Sequence, residues 1–229
     1  MLRLGFILIL LLQSLSYPYN NFKNAPVDDI SIIKKSFNKS YHTYQLNVTY
    51  PELRDWNNEK HIALNLAVQG YMFEAITRFQ DKVDTFINKN SFSYFNFDYT
   101  VCSNFEQAMS LKFTKRSYHP GMEKAMEYYR TLNFDKNSGR IIHLEDLFLF
   151  EVDYQKELLK IINKKYRNCK LPSNTQLHAF CLSEPGLIIV LDEHLLPDSF
   201  CANQIEIEWQ VLREIINPDS IGYLLMNKV

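Results

Sequence analysis

Hydrophobic and polar positions alternate in several separate blocks along the chain. From Tyr41 to Tyr50, Tyr44, Leu46, Val48 and Tyr50 fall on one face, with Thr43, Gln45, Asn47 and Thr49 on the other. A period of two is the signature of a half-buried strand. Pro51 is expected to end this strand, because it cannot donate to a ladder. The same alternation recurs at Phe95-Phe97-Tyr99-Val101, at Met109-Leu111-Phe113 and at Tyr128-Leu132-Phe134. Between the first block and the second the period changes. Ile62, Leu66, Phe73, Ile76, Phe79, Val83 and Phe86 recur at three- and four-residue spacing, which predicts a helix capped by Asn57 or Asn58 and running to about Ile87. Gly70 within it suggests close packing at that point, since glycine costs a helix about 1 kcal/mol against alanine.

The stretch Tyr128 to Phe148 is the densest in local signals. Asp135-Lys136-Asn137-Ser138-Gly139 is turn chemistry, with short polar side chains that bond nearby backbone and a glycine free to take positive φ. Ile141 and Ile142 resume the strand. His143 to Phe148 then reads as a helical turn, its acids Glu145 and Asp146 early, where a helix start favours negative charge. Asp153 is placed to cap a second helix through about Tyr166, with Tyr154, Leu158, Ile161 and Ile162 inward. Leu177–Leu182 and Leu187–Leu191 form a hairpin around Glu184-Pro185-Gly186. Ile205, Ile207 and Trp209 make a last strand, and Val211–Ile216 a last helical turn. These elements predict one α+β domain, a mainly antiparallel sheet packed against one long and one shorter helix.

The ends of the chain read differently. Residues 1–16 have the form of a signal peptide. Arg3 is the basic start, Leu4 to Leu12 is an apolar run shorter than the roughly 20 residues of a membrane span, and Ser14 and Ser16 stand at cleavage-site positions. Residues 17–40 read as a poorly ordered lead-in, although Ile30, Ile32 and Ile33 have the composition of an edge strand or a short helix. The domain is expected over 41–217, with a C-terminal tail over 218–229. The expected location is exported, periplasmic or secreted, with no membrane span after signal cleavage.

The order of motifs resembles a known family. N-F-D at 133–135, S-G-R at 138–140 and I-x-L-E-D-L-F at 142–148 are similar to the extracellular domain shared by RsiV-type anti-sigma factors and PdaC-type peptidoglycan deacetylases. So are the opening strand Y-x-L-x-V-x-Y-P, Asn65 in the long helix, the strand G-L-I-I-V-L at 186–191 and the closing I-E-W-Q-V-L-R-E-I-I at 207–216. The likeness covers about three-quarters of the chain by order of motifs. In RsiV the domain binds lysozyme. The resemblance therefore implies an exported, non-catalytic binding domain whose partner is lysozyme or another cell-wall-directed protein, or peptidoglycan itself. The chain departs from the pattern where the family has Gly-Gly-Ala-His: only the histidine is kept, as His119 after Tyr118. It departs again at Asp192–Pro197, where the family is tyrosine-rich and this chain has His194. Tyr118, His119 and His194 are the candidate binding residues.

Composition narrows the function classes. At 229 residues and 46% hydrophobic content a substantial core is available. A net charge of −1 without basic clusters argues against nucleic acid. No H-E-x-x-H, G-x-S-x-G, P-loop or C-x-x-C occurs, and the six histidines show no metal-ligand spacing. No catalytic residue, cofactor or metal is expected. The competing classes are a peptidoglycan-associated accessory or enzyme with an unrecognised site, and a structural envelope protein. The even cysteine count in an exported chain suggests disulfides. Of the three pairings open to Cys102, Cys169, Cys181 and Cys201, the expected one is 169–181 with 102–201; four buried thiols are the alternative.

Overall fold

The computed structural model describes residues 31–54, 58–85, 92–167, 170–196 and 201–227. The signal segment, residues 17–30 of the lead-in, Asn57, Phe86–Ile87, Cys169 and Pro197 lie outside the described residues. From Ser31 onward the chain forms one compact unit, with the mixed α+β architecture expected.

Six strands make the main sheet: β1 (Ile32–Ser40), β2 (Tyr44–Leu53), β3 (Ser93–Asn104), β4 (Ala108–Tyr118), β5 (Met126–Asp135) and β6 (Ile141–Ile142), adjacent in that order. All neighbours are antiparallel except β2 and β3. That parallel pair exists because α1 (Glu59–Thr85) crosses over between them. The sheet thus begins within the segment expected as a lead-in, where Ile32 pairs with Leu53. Pro51 does not end β2 either. Beyond Val48 the strand is laddered to β1 alone, the one-sided setting in which proline is tolerated.

Asn58 starts α1 by accepting from Lys60 N–H at 3.0 Å. The buried stripe is Leu64, Val68, Met72, Ala75, Ile76, Phe79 and Val83. In the first half of the helix it follows Leu64-Val68-Met72 rather than Ile62-Leu66, and Leu66 is 57% exposed. Gly70 is exposed with open space around it, so no close packing explains it. The stripe lies on Leu46, Phe95, Phe97 and Phe113: Phe79 sits against Phe95, and Tyr71 against Phe97 and Phe113.

The 135–139 turn forms as its chemistry dictates. Asp135 accepts from Asn137 N–H at 2.8 Å and Ser138 N–H at 3.2 Å, and Gly139 takes φ of 75°. Lys60 packs over that glycine and donates to the Asn137 carbonyl, which docks the turn on the start of α1.

A second, three-stranded antiparallel sheet forms from β7 (Ala179–Leu182), β8 (Gly186–Val190) and β9 (Gln204–Glu208). The shorter helix α2 (Tyr154–Lys165) packs on this sheet, not on the main one, with Leu158, Leu159 and Ile162 inward. Asp153 caps it as expected, accepting from Lys156 N–H at 3.2 Å. The residues expected as a tail carry α3 (Ile221–Met226), whose Leu225 and Met226 join the core beside Trp209.

β7 lies against the face of the main sheet opposite α1, and side chains receive its backbone. Asn133 donates to the Phe180 carbonyl at 2.9 Å, Thr131 accepts from Phe180 N–H at 3.0 Å, and Ser110 accepts from Leu182 N–H at 3.0 Å. A disulfide adds a covalent tie. The ladder between β3 and β4 shifts register between Val101 and Ser103, and Cys102 in that bulge bonds to Cys181 of β7, Cα to Cα 6.1 Å. The expected 169–181 and 102–201 pairing is therefore incorrect, because the bulge and the docking of β7 bring residues distant in sequence together. Cys201 is buried and also disulfide-bonded.

Candidate functional site

Tyr118 and His119 are neighbours in sequence at the end of β4, and alternation sends them to opposite faces. Tyr118 lies on the face away from α1, its ring nearly parallel to that of Tyr94 with centroids 5.7 Å apart. His119 turns under α1, is 3% exposed, and stacks on Phe79 at 4.9 Å. Burial, and then the charge of Lys82, lower its imidazole pKa and favour the neutral ring. His194 is elsewhere. It sits exposed in a 3-10 turn, Glu193–Leu195, with its ring 5.9 Å from that of Tyr128 on β5. The three candidates do not form one site.

What gathers near His194 is a cluster of cations over aromatic rings, which the sequence reading missed. Arg130 lies over the Tyr71 ring at 4.8 Å, and Lys115 over the Tyr128 ring at 4.5 Å. Glu74 holds Arg78 at 2.7 Å and reaches Arg130 at 3.5 Å. These residues come together because Lys115 and Tyr128 are register partners, as are Phe113 and Arg130, on the face under α1. Tyr71, Glu74 and Arg78 recur at helical spacing on α1 and so meet that edge. Burial lowers the Lys115 pKa first, with Lys82 and Arg78 adding to it, while Asp192 and Glu74 oppose. Burial lifts the Tyr71 phenol to about 12. A desolvated cation over a ring is worth more than a fully hydrated one. The one signal in the sequence was Lys115, Tyr128 and Arg130 at inward positions of their strands, where apolar residues are usual.

The 192–195 segment is held to β5 by polar contacts. Asp192 accepts from Tyr129 N–H at 2.6 Å, covering a backbone donor on that strand's outer side, and Lys124 pairs with Glu193 at 2.8 Å. The Tyr129 hydroxyl donates to Glu127 and accepts from Asn203 Nδ2 at 2.6 Å. Burial first, and the Glu127 carboxylate second, push its pKa up. That direction makes it a poorer nucleophile, not an activated one. Among the described residues no three His, Cys, Asp or Glu side chains converge as metal ligands. Asn65 is structural. It is 2% exposed and bonds both backbone groups of Leu53, accepting at 2.8 Å and donating at 3.1 Å. No described helix is long and apolar enough to cross a membrane.

No family model and no curated protein matches the sequence. Solved structures do match the fold. A DUF3298 family protein from Pseudomonas aeruginosa superposes with a TM-score of 0.59 at 13% identity, covering 84% of this chain and 97% of that one. A DUF3298 family member from Bacteroides fragilis gives 0.62 at 14% identity, over 87% and 99%. The chain thus has the fold of DUF3298 domains along nearly their whole length.

Proposed function

We propose that this chain is an exported, non-catalytic binding domain of the RsiV/PdaC kind, whose partner is a cell-wall-directed protein, with a lysozyme the first to test. The cluster of Arg130 on Tyr71 and Lys115 on Tyr128, with His194 at its rim, carries the reading. Tyrosine and arginine dominate the residues that matter most at protein interfaces, because they combine area, rigidity and polar bonding. The Cys102–Cys181 bond is in keeping with an oxidising compartment. The DUF3298-type fold agrees with the resemblance drawn from the motifs.

Calorimetry of the purified chain with several lysozymes tests the proposal. Binding at micromolar concentration is expected, with Arg130→Ala or Tyr128→Ala weakening it about tenfold, the loss of one interface anchor. Phe150→Ser, at a residue 99% exposed outside the cluster, serves as control. No heat with any lysozyme removes this partner. Binding unaffected by the cluster substitutions removes the surface.

A further inference from the structure

Most strand edges in this fold are met by other parts of the chain. β7 gives its outward backbone groups to Ser110, Thr131 and Asn133 of the main sheet. On β9 the Glu206 carbonyl accepts from Lys165 of α2 at 2.9 Å. β6 is only two residues long, and past it Asp192 accepts from Tyr129 N–H on β5. Short edges and covering side chains are common defences against unwanted strand pairing. The edge formed by β1 has neither. It is the first strand of the main sheet, nine residues long, with β2 on one side. The Ser31 carbonyl accepts from Arg54 N–H at 3.3 Å, which makes residues 31 and 54 a hydrogen-bonded pair. Such pairs alternate with non-bonded ones along an antiparallel ladder. Ile33, Lys35, Phe37 and Lys39 therefore turn their backbone groups to β2, while Ile32, Lys34, Ser36, Asn38 and Ser40 turn theirs outward. Pro51 agrees with this phase: it faces Lys34, in a pair that exchanges no bond. No described residue bonds to the outward groups of β1.

We infer that β1 accepts an extended, acidic segment of a partner protein as a seventh strand of the main sheet. In strand addition the main-chain bonds supply affinity, and side chains along the edge select the sequence. On β1 the charged side chains are Lys34, Lys35 and Lys39, and the strand has no acid. Lys34 and Lys39 are exposed, and Lys35 reaches Glu52 of β2 at 3.4 Å. Register sets Lys39 beside Leu46, on the side under α1, and alternation puts Lys34 on the opposite side. Lysines thus flank the edge on both faces of the sheet. Opposite charges facing each other across a ladder stabilise it, and like charges weaken it. A second copy of β1 would bring the lysines of both strands together with no acid between them. The charges that admit an acidic segment therefore reject self-pairing, the role lysine has on natural edge strands. This surface is separate from the cation–aromatic cluster, which β4, β5 and α1 form, and the inference does not rest on the lysozyme reading.

The test is titration of the full chain with a decapeptide of alternating glutamate and valine, read by calorimetry, with the lysine–valine decapeptide as comparator. The acidic peptide is expected to bind, and the basic one to bind at least about tenfold more weakly. Ser36→Pro removes an outward N–H that β2 does not use, so the fold should persist, as circular dichroism checks, while peptide binding falls at least about tenfold. Ser36→Ala keeps that N–H and should bind as the wild type does. Lys34→Glu combined with Lys39→Glu, at exposed positions, should reverse the preference between the two peptides. No binding of the acidic peptide, equal binding of the two, or indifference to Ser36→Pro in a folded variant would each overturn the inference. If Ser36→Pro does not fold, the charge-reversed variant decides, and its continued preference for the acidic peptide would overturn the inference equally. So would a dimer of the wild type that Ser36→Pro or the charge reversal dissolves, which would make the edge a contact between copies of the chain. Lysozyme binding is measured separately, so failure of the peptide arm leaves the lysozyme proposal standing, and the reverse.

Discussion

Replacing Asn133 by alanine tests how the two sheets are joined. Asn133 is 1% exposed on β5, donates to the Phe180 carbonyl of β7 at 2.9 Å, and accepts from the Ser110 hydroxyl. Ser110, fully buried, also accepts from Leu182 N–H. Alanine leaves the Phe180 carbonyl buried without that donor. A buried polar group left unpaired costs about 1–3 kcal/mol. The small void left by the missing carboxamide adds about 1 kcal/mol. The expected destabilisation is therefore about 3 kcal/mol, or a fall in Tm of about 6–12 °C for a chain of this size. Asn47→Ala is the reference, a half-buried amide on β2 bonded to the Gln45 and Asn96 side chains and to no buried backbone group, expected to cost no more than about 1 kcal/mol. Urea titrations under non-reducing conditions, followed by fluorescence and circular dichroism, give the values and check that both probes report one transition. Ser110→Ala and the double variant complete a cycle, with a coupling of at least about 0.5 kcal/mol expected for groups in one network. A loss below about 1 kcal/mol for Asn133→Ala, or strict additivity with Ser110→Ala, would refute the idea that side chains rather than apolar contact hold β7 in place.

Two glycines should respond in opposite directions. A Cβ on Gly186 would stand 2.1 Å from the Ile207 carbonyl oxygen, so Gly186→Ala must push β8 from β9 and is expected to lower stability by more than about 3 kcal/mol. Gly70→Ala meets nothing within 4 Å on an exposed helical turn and should raise stability by about 0.5–1 kcal/mol; thermal melts of both decide. His119 should make stability depend on pH. Its folded pKa is lowered from 6.5, so the unfolded chain binds the extra proton, and the His119 contribution is intact above about 6.5 and lost as pH falls below it. His119→Phe keeps a ring on Phe79, so the variant should gain on the wild type between pH 7 and about 5 in parallel denaturations; superimposable curves would reject this. Peptide mapping of the unreduced protein should link Cys102 to Cys181, and removing that bond, which spans 79 residues, should cost about 4–5 kcal/mol on the chain-entropy account. A peptide joining Cys102 to Cys201 would contradict it.

Local physics was written plainly into the sequence. Alternation from Tyr44 to Tyr50 placed Leu46 and Val48 inward and Gln45 and Asn47 outward, as found, because a strand's side chains have no other choice than to alternate. The Asp135–Gly139 turn, the Asn58 and Asp153 caps and the Ala179–Val190 hairpin likewise followed from groups a few residues apart. Inside α1 the pattern was less sufficient, since a helix with apolar residues on several sides can turn either way, and only the sheet beneath chose Leu64-Val68-Met72 over Leu66. Division into two sheets was not legible. Ser110 and Asn133 alternate as solvent-facing residues should, yet they are buried, because β7 arrives from far along the chain and takes their hydrogen bonds. The same event decided the disulfide, since nothing near Cys102 names Cys181 until a bulge and a docked strand set them face to face. The cation–aromatic cluster was hidden for that reason too: Lys115, Tyr128 and Arg130 at inward strand positions were its one trace, and only register between β4 and β5 under α1 brings them to Tyr71 as a surface. Sequence determines what a segment can do with its own neighbours, whereas pairings across long stretches depend on which strands come to share a face, and that is a property of the folded chain alone.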